Sequence, residues 1–221
     1  MSAFVHLSLH SEFSVNDGLM KVEEIARYAQ EKNFPAVALT DRSNLFGIVK
    51  FYTACRSVGV KPILGVDFEI NEESFSYRLV VLATSNSGYK NLLSLVSRSY
   101  TGNGEYGSIR KEWLVGLNEG LIVLSGGIGG DVGIQILNQD YTSAASRVSW
   151  WKEILGNRYY LEISRTGRED DNYLEQVVRL SSENGIPLVA TNDVRFFRRE
   201  DFEAHETRVC IQQGRTLNDP R

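Results

Sequence analysis

The chain opens with a stretch in which apolar and polar residues alternate. Between Val5 and His10, the apolar residues Val5, Leu7 and Leu9 alternate with His6, Ser8 and His10. Because successive side chains of a β-strand point to opposite faces, this pattern predicts a strand with one apolar face and one face of ligand-type side chains. Asp17 follows on the next loop. We expect helices against the apolar face and a cavity lined by the polar face.

Further along, the pattern switches repeatedly between helical spacing and short apolar runs. Apolar residues at helical spacing predict helices over residues 19–32, 45–57, 89–99, 132–137, 144–155, 173–184 and 201–211. Apolar runs predict strands over residues 36–39, 62–70, 78–83, 121–124, 159–163 and 188–191. The strands over 62–70 and 78–83 are close enough to form a hairpin. Elsewhere, helices between strands imply right-handed crossovers and a parallel sheet that closes into a barrel.

Polar residues collect where the predicted strands end. They are Ser8, His10, Asp41, Arg42, Asp67, residues 164–166, Asn192 and Asp193. The carboxyl ends of the strands of an α/β barrel meet at one face, and active sites are built there. The sequence therefore predicts an α/β barrel with a single cleft at the carboxyl ends of its strands.

The composition is that of a globular protein. The chain has 221 residues, of which 42% are hydrophobic and 24% charged, and its formal net charge is −4. This length suits one domain over residues 1–221, and the lack of a basic stripe argues against direct DNA binding by this segment. With no apolar run long enough to span a membrane and no signal peptide, we expect a cytoplasmic protein without a membrane partner. Cys55 and Cys210 fall in helical patterns and are expected to be reduced, buried thiols.

Five segments together carry a family resemblance. They read FVHLSLHSEFSVNDGL, ALTDRSNLFGIVKFYTACRSVGVKPILGVDFEI, GYKNLLSLVS, GLIVLSGG and VATNDVRFF, in this order. From Phe4 to Asp219 the chain resembles the PHP (polymerase and histidinol phosphatase) domains that open the alpha subunits of bacterial DNA polymerase III, in their proteobacterial form. The resemblance implies a distorted barrel of seven β/α units. It also implies a cleft in which active members hold up to three divalent metals for phosphoester hydrolysis.

The metal-ligand positions that the resemblance implies can be followed residue by residue. His10, Asp17 and Asp193 match ligands of the active family members. The other positions depart from the family: Ser8, Arg42, Arg78, Thr166 and Arg195 stand where it has histidine, and Asp67 stands where it has glutamate.

These substitutions remove the chemistry that a metal site needs. Arginine keeps its proton in proteins and offers no lone pair, so Arg42, Arg78 and Arg195 cannot bind a cation and would repel one. The hydroxyls of Ser8 and Thr166 are weak ligands compared with imidazole. We therefore expect no catalytic residue, no multinuclear metal site and no cofactor in this segment. A weakly held Mg²⁺, or an anion such as phosphate, is left open.

The charges of the cleft suggest another use for it. Buried carboxylates need partners or protons, and the three aspartates of the cleft would lie close together. We hypothesise that the three arginines supply the positive charge that metals supply in active members, in a buried ion-pair network. The network would comprise Asp17, Asp67, Asp193, Arg42, Arg78 and Arg195. The alternative is that these six residues are separate, solvated surface charges.

Three other candidates have simpler structural explanations. His205 lies in a predicted helix without a second ligand nearby, and His6 lies below the cleft, so we expect structural roles for both. The segment Gly126 to Gly133 lacks the Lys-Ser/Thr of a phosphate-binding loop, and we interpret it as a strand-to-helix turn.

The resemblance implies a function in DNA replication. The leading hypothesis is a PHP domain kept as a structural scaffold of a replicative polymerase alpha subunit, which packs against the rest of the polymerase chain and docks the epsilon proofreading exonuclease. DNA would be contacted only through the full polymerase. The sequence after Leu217 suggests an excised fragment, with no polymerase or phosphoesterase activity of its own. The alternative is an active metal-dependent phosphoesterase or 3′–5′ exonuclease.

Overall fold

The computed structural model describes residues 4–72, 75–101, 106–165 and 171–219. The helices of this described part are α1 (Val22–Glu31), α2 (Ile48–Ser57), α3 (Asn86–Thr101), α4 (Glu112–Gly116), α5 (Asp131–Leu137), α6 (Tyr141–Leu155), α7 (Asp171–Asn184) and α8 (Phe202–Gln213). The strands are β1 (Ala36–Leu39), β2 (Lys61–Asn71), β3 (Ser76–Ala83), β4 (Ser108–Ile109), β5 (Leu121–Leu124), β6 (Tyr159–Ile163) and β7 (Leu188–Ala190). Within these ranges, none of the helices combines the length and apolar character needed to cross a bilayer.

The strands belong to one mixed sheet. Its order is β1-β2-β3-β5-β6-β7, with β4 beside β2. β3 runs antiparallel to both β2 and β5, whereas the pairs β1/β2, β5/β6 and β6/β7 are parallel. The predicted hairpin of β2 and β3 is therefore confirmed, and the prediction of parallel neighbours elsewhere is wrong for the pair β3/β5. Only residues 72–75 connect β2 to β3, and a parallel pair needs a crossover of about a dozen residues.

The first segment of the chain joins the two edges of this sheet. On one side, the amides of Ala38 and Thr40 donate to the carbonyl oxygens of His6 and Leu9, both at 2.9 Å. On the other side, the amide of His10 donates to the carbonyl oxygen of Val194 at 3.0 Å, just beyond β7. The sheet is therefore curled, with helices around it, and the predicted α/β barrel-like class is confirmed. The count of seven β/α units stays a prediction.

This closing segment is not the regular strand that its alternation predicts. Leu7 packs in a cluster with apolar residues from β1, β2, β3, β5, β6 and β7, which fills the inside of the curled sheet. Leu9 instead packs with α1 and α2, outside the sheet. The chain bends at Ser8, so the two-residue period is broken there. His6 consequently faces the ring of Phe34, with ring centroids 5.2 Å apart, and does not share the cleft side with Ser8.

The helices pack on the outer side of the sheet through their apolar stripes. In α1 the buried residues are Val22, Ile25, Ala26 and Ala29, as the helical spacing predicts. Cys55 of α2 is a buried, free thiol, and burial raises its pKa to about 12. Cys210 is also free but only partly buried, which corrects the prediction for that residue.

Candidate functional site

A cluster of charged side chains lies at the carboxyl ends of the parallel strands. It is formed by Ser8, His10, Asp17, Asp67, Arg78, Asp193 and Arg195. Arg78 opens β3, yet it reaches this face because β3 is antiparallel to β2 and places Arg78 opposite Glu69. A cleft of about 530 Å³ lies over the cluster.

The acidic and basic groups of the cluster alternate around a closed ring. Starting at Asp17, the order is Asp17, His10, Asp67, Arg78, Asp193, Arg195 and back to Asp17. The six N–O distances, in that order, are 2.8, 3.1, 2.6, 2.9, 2.7 and 2.9 Å. Three carboxylates therefore face three cationic groups, and the charges of the ring balance. We call this group of six residues the ion-pair ring.

His10 is the most buried cation of the ring. Its Nδ1 lies 2.8 Å from Oδ1 of Asp17, and its Nε2 lies 3.1 Å from Oδ2 of Asp67. A neutral imidazole donates from only one nitrogen, so two carboxylate partners require the imidazolium form. Burial and Arg195 lower the pKa of His10, but the hydrogen bonds with Asp17 and Asp67 outweigh them and the pKa is raised.

The carboxylates are held in their ionised form. Burial acts to raise the pKa of Asp67, but Arg78, His10 and Arg195 reverse the shift and lower it. The pKa of Asp17 is lowered by His10 and Arg195 against burial, and that of Asp193 is lowered by Arg78 and Arg195 against burial. The three aspartates are therefore ionised near neutral pH, and the raised pKa of His10 favours its imidazolium form.

The hydroxyl of Ser8 bridges two members of the ring. It accepts from Nη2 of Arg78 at 3.2 Å and donates to Oδ1 of Asp193 at 3.4 Å. A serine at this position thus links a cation and an anion, which is a different role from that of a metal-binding imidazole.

Arg42 lies apart from the ring, and its assignment to the network is corrected. Its Nη2 is 2.5 Å from Oε2 of Glu69, and the two side chains are 48% and 36% exposed. The three aspartates are already balanced by His10, Arg78 and Arg195, so the fourth cation pairs with a carboxylate at the rim of the cleft. Thr166, the remaining predicted position, lies outside the described residues.

Two further buried carboxylates, Glu162 and Asp41, lie near the ring, and the sequence analysis missed the first of them. Glu162 of β6 accepts from the amide of Gly126 at 2.5 Å and from Oγ1 of Thr191 at 2.9 Å. Burial raises the pKa of Glu162, and Arg78, Thr191 and the Gly126 amide oppose that shift only in part. The signal for Glu162 was a single acidic residue inside the apolar run of β6.

Asp41 is the second of these carboxylates, and it fixes the first loop. It accepts three hydrogen bonds of 2.7 Å, from the amide and hydroxyl of Ser11 and from the hydroxyl of Ser14. Because this loop carries Asp17, Asp41 helps to place one carboxylate of the ring. Its position directly after β1 was visible in the sequence, but its partners were not.

The structural predictions for the remaining candidates agree with their surroundings. His205 of α8 bonds through Nδ1 to the carbonyl oxygen of Asp17 at 2.9 Å, so it holds the loop of Asp17 and has no metal-type partner among the described residues. The Gly-rich segment is a turn between β5 and α5. Gly126 has a φ of 79°, and a Cβ there would lie 2.3 Å from the carbonyl oxygen of Arg78. Glycine is needed because the turn approaches the backbone of β3 so closely.

Comparison with known proteins places this geometry in a family. The PHP domain profile matches residues 6–166, about three-quarters of the chain. The chain belongs to the PHP domain family. The predicted resemblance to PHP domains is thereby confirmed.

Curated relatives of this PHP domain are DNA polymerase III alpha subunits. The chain is 46% identical over 224 residues to the DNA polymerase III subunit alpha of Escherichia coli K12, and 44% identical over 225 residues to that of Pseudomonas aeruginosa. Each match covers 99% of this chain and 19% of the relative. The PHP domain therefore spans about a fifth of the length of these relatives and is similar to their N-terminal region.

Solved structures with the same fold are more distant in sequence. A putative metal-dependent phosphoesterase from Bifidobacterium adolescentis matches with a TM-score of 0.60 at 11% identity, covering 97% of this chain and 99% of that one. An amidohydrolase from Chromobacterium violaceum, solved with bound sulfate and no metal, matches with a TM-score of 0.56 at 14% identity, covering 93% and 97%. At these identities, the likeness concerns the fold alone.

The donor atoms of this PHP domain can be compared with the metals that the resemblance implies. Metal-binding histidine must be neutral, whereas both nitrogens of His10 face carboxylates. Both oxygens of Asp17 and of Asp67, and Oδ1 of Asp193, contact guanidinium groups or His10. Across the described residues, no group of three or more His, Cys, Asp or Glu side chains is arranged to hold a metal ion. The residues in this arrangement do not fit a cluster of divalent metals, and we derive no catalytic step through one.

Proposed function

We propose that this PHP domain is a scaffold domain of a replicative DNA polymerase III alpha subunit, in which the metal ligands have been replaced and the ion-pair ring holds the cleft together. The observation that carries the proposal is the closed ring itself. Each carboxylate of the ring already has at least two cationic partners.

The ring supports a scaffold role because of the chain segments that it connects. His10 and Asp17 come from the first segment and its loop, Asp67 and Arg78 from the β2–β3 hairpin, and the last two members follow β7. These segments are far apart in sequence, and the first of them closes the curled sheet. Ion pairs between them fix the closed form without an exchangeable ligand.

The similarity to alpha subunits supports the wider part of the proposal. The relatives are about five times as long as this chain, and they are polymerase subunits by name. In the proposed function, residues 1–221 form one domain, pack against the rest of the polymerase chain and dock the epsilon proofreading exonuclease. DNA is contacted only by the full polymerase, in the cytoplasm, and this segment catalyses neither polymerisation nor phosphoester hydrolysis.

The alternative of an active metal-dependent phosphoesterase or 3′–5′ exonuclease has weaker support. The solved phosphoesterase shares the fold at only 11% identity. An active site of that type would need His10 neutral and the aspartates free of guanidinium partners, which requires the ion-pair ring to open.

Three measurements on the intact protein test the proposed function. Protein purified without chelator is analysed for Zn, Mn and Fe, and its hydrolysis of single-stranded DNA is followed with and without Mn²⁺ and EDTA. We expect far less than one metal per chain and no chelator-sensitive hydrolysis. In a separate experiment, binding of the protein to the purified epsilon subunit is measured, and we expect the two to form a complex. Stoichiometric metal together with EDTA-sensitive hydrolysis would support the alternative and contradict the scaffold proposal.

A further inference from the structure

Helix α8 is attached to the domain with little buried surface. It has 12 residues, all within the described part of the chain, and one of them, His205, is buried. By contrast, α1 has 10 residues and buries Val22, Ile25, Ala26 and Ala29. Because apolar burial supplies most of the free energy that docks a helix, α8 should detach from the domain more readily than α1.

Two polar side chains of α8 bind the backbone of the first loop (residues 11–20). Nδ1 of His205 donates to the carbonyl oxygen of Asp17 at 2.9 Å. Nη1 of Arg208, three residues further along the helix, donates to the carbonyl oxygen of Gly18. Residues three apart share one face of a helix, so this face of α8 holds two consecutive peptide groups of the loop.

The part of the loop that α8 binds is a tight turn. The amides of Asp17 and Gly18 both donate to the carbonyl oxygen of Ser14, at 3.1 and 2.8 Å. A Cβ on Gly18 would lie 1.8 Å from the carbonyl oxygen of Ser11, so the turn also packs closely against its own beginning. A turn held in this way moves as a unit, and a shift of its carbonyl groups also shifts the Asp17 side chain.

The carboxylate of Asp17 belongs to the ion-pair ring. Its Oδ1 lies 2.8 Å from Nδ1 of His10, and its Oδ2 lies 2.9 Å from Nε of Arg195. Asp17 thus binds α8 through its carbonyl oxygen and closes the ring through its carboxylate. Because both sets of contacts are made by one residue, the docking of α8 and the closure of the ring should be energetically coupled.

Helix α8 also forms part of the wall of the cleft over the ring. The cleft is lined by Phe202, Val209 and Gln213 of α8 and by Arg78 and Asp193 of the ring. Detachment of α8 would therefore remove one wall of the cleft and open it to solvent.

We propose that α8 is a strap that regulates the ion-pair ring. While α8 lies on the first loop, the ring is complete. When α8 detaches, the turn loosens and the ring loses the two contacts of the Asp17 carboxylate. His205 and Arg208 are the positioning residues of the strap. The inference rests on the proposed function for the role of the ring, whereas the coupling rests on the contacts of α8 alone.

Amide hydrogen exchange of the intact protein, followed by mass spectrometry, tests the proposal. The strap variant, His205→Leu with Arg208→Met, removes both donors and keeps apolar bulk in their place. The matched control, Thr207→Leu with Ile211→Met, introduces the same residue types at two exposed positions of α8. In the strap variant we expect exchange about tenfold faster both in α8 and in the first loop, as the loss of two hydrogen bonds implies. The control should exchange like the unmodified protein.

A variant of the ring tests the coupling in the reverse direction. Asp17→Asn removes a charge from the ring but leaves in place the carbonyl oxygen that His205 binds. We expect it to accelerate exchange in α8, because coupling is reciprocal. Added to the strap variant, it should cause no further acceleration in α8, since the contacts that transmit its effect are absent. If Asp17→Asn leaves exchange in α8 unchanged, or if the two accelerations multiply, the helix and the ring are independent and the proposal is overturned.

Two comparisons separate the strap from general destabilisation. Exchange in α3 is the reference for the whole domain, and acceleration by the same factor in α3 and α8 would mean that α8 opens only with the domain and is no strap. His205→Asn keeps a side-chain N–H donor and is expected to retain slow exchange in the first loop. If it accelerates exchange there as much as His205→Leu does, the hydrogen bond does not couple the two segments and the proposal fails.

The proposed function is decided by other measurements. Metal content, hydrolysis and binding to the epsilon subunit are measured on the unmodified protein, and none of them depends on exchange in α8. Uncoupled exchange in a metal-free protein that binds the epsilon subunit would overturn the strap and leave the proposed function standing. Coupled exchange in a protein with stoichiometric metal and chelator-sensitive hydrolysis would support the strap and contradict the proposed function.

Discussion

Oδ2 of Asp67 lies 2.6 Å from Nη2 of Arg78, and Oδ1 of the same carboxylate lies 3.4 Å from Nε of that arginine. A planar guanidinium contacts a carboxylate at two points in this way, and a lysine could not reproduce the geometry. The pair joins the two strands of the β2–β3 hairpin. Because only 7% of the Asp67 side chain is exposed, the carboxylate depends on its partners and not on water.

Removing Arg78 should destabilise the domain strongly. We expect Arg78→Met to lower the free energy of unfolding by about 3–5 kcal/mol, because it leaves the buried Asp67 without its nearest cation. The measurement is urea unfolding at pH 7. Arg42→Met is the control: its pair with Glu69 is exposed, and we expect a loss of about 1 kcal/mol or less. Similar losses for both variants would mean that the ion-pair ring contributes no more than a surface pair.

The protonated His10 should make the stability depend on pH above neutrality. Its pKa is raised in the folded state, so its contribution is fully present below the ordinary value of 6.5 and is lost as the pH rises through the folded value. We expect the free energy of unfolding to decline above about pH 6.5. His10→Gln should be less stable at pH 6 and should lack this decline. Unfolding curves from pH 5 to 9 measure both slopes, and parallel slopes would rule out a charged His10.

The aspartates of the ring should make the free energy of unfolding depend on pH in the acid range. Their pKa values are lowered in the folded state, so their contribution is present above the ordinary value of 3.8 and is lost as the pH falls below it. Asp193→Asn should lower the free energy of unfolding at pH 6. It should also make that free energy fall less steeply as the pH is lowered. Urea unfolding from pH 6 down to pH 3 would detect the change, and an acid limb as steep as that of the unmodified protein would count against ionised Asp193.

Much of the fold follows from the sequence pattern. The ranges of β1, β5 and β6 were predicted correctly because strands covered on both faces are short, nearly continuous apolar runs. β4 and α4 were missed, since two and five residues are too few for a period to be recognised. The antiparallel pairing of β2 and β3 was predicted from their short connection, whereas the antiparallel pair β3/β5 was not, because helices lie between these two strands in the sequence.

The sequence predicted which residues lie in the site better than it predicted which of them form ion pairs with one another. Residue identities at the strand ends, together with the family resemblance, pointed to His10, Asp67 and Arg195. Which charges meet depends on distances in the folded state, so the sequence could not assign Arg42 to Glu69 instead of the aspartates. Glu162 was missed because a carboxylate in the middle of an apolar strand gives no sign of its hydrogen-bond donors.

Asp131, a buried carboxylate outside the cleft, offers a test that is independent of the ion-pair ring. Oδ2 of Asp131 accepts from the indole Nε1 of Trp151 at 2.9 Å, and both side chains are buried. Trp151→Phe keeps most of the ring volume but removes this donor, so we expect a loss of about 1–3 kcal/mol in the free energy of unfolding. Trp150→Phe, at the neighbouring and only partly buried position, is the control and should cost less. The opposite order would show that ring volume, and not the hydrogen bond, decides the cost.

Chelation should leave the stability of the domain unchanged. A metal resident at a concentration 100 times its Kd would contribute about 2.7 kcal/mol, which EDTA would remove. The nitrogens of His10 and the oxygens of Asp17 and Asp67 are engaged within the ion-pair ring, so we expect no such contribution. Urea unfolding before and after dialysis against EDTA measures the difference, and readdition of Mn²⁺ serves as the control. A loss on chelation that Mn²⁺ restores would require metal binding that competes with Arg78 and Arg195, and the ion-pair ring would then describe only the metal-free state.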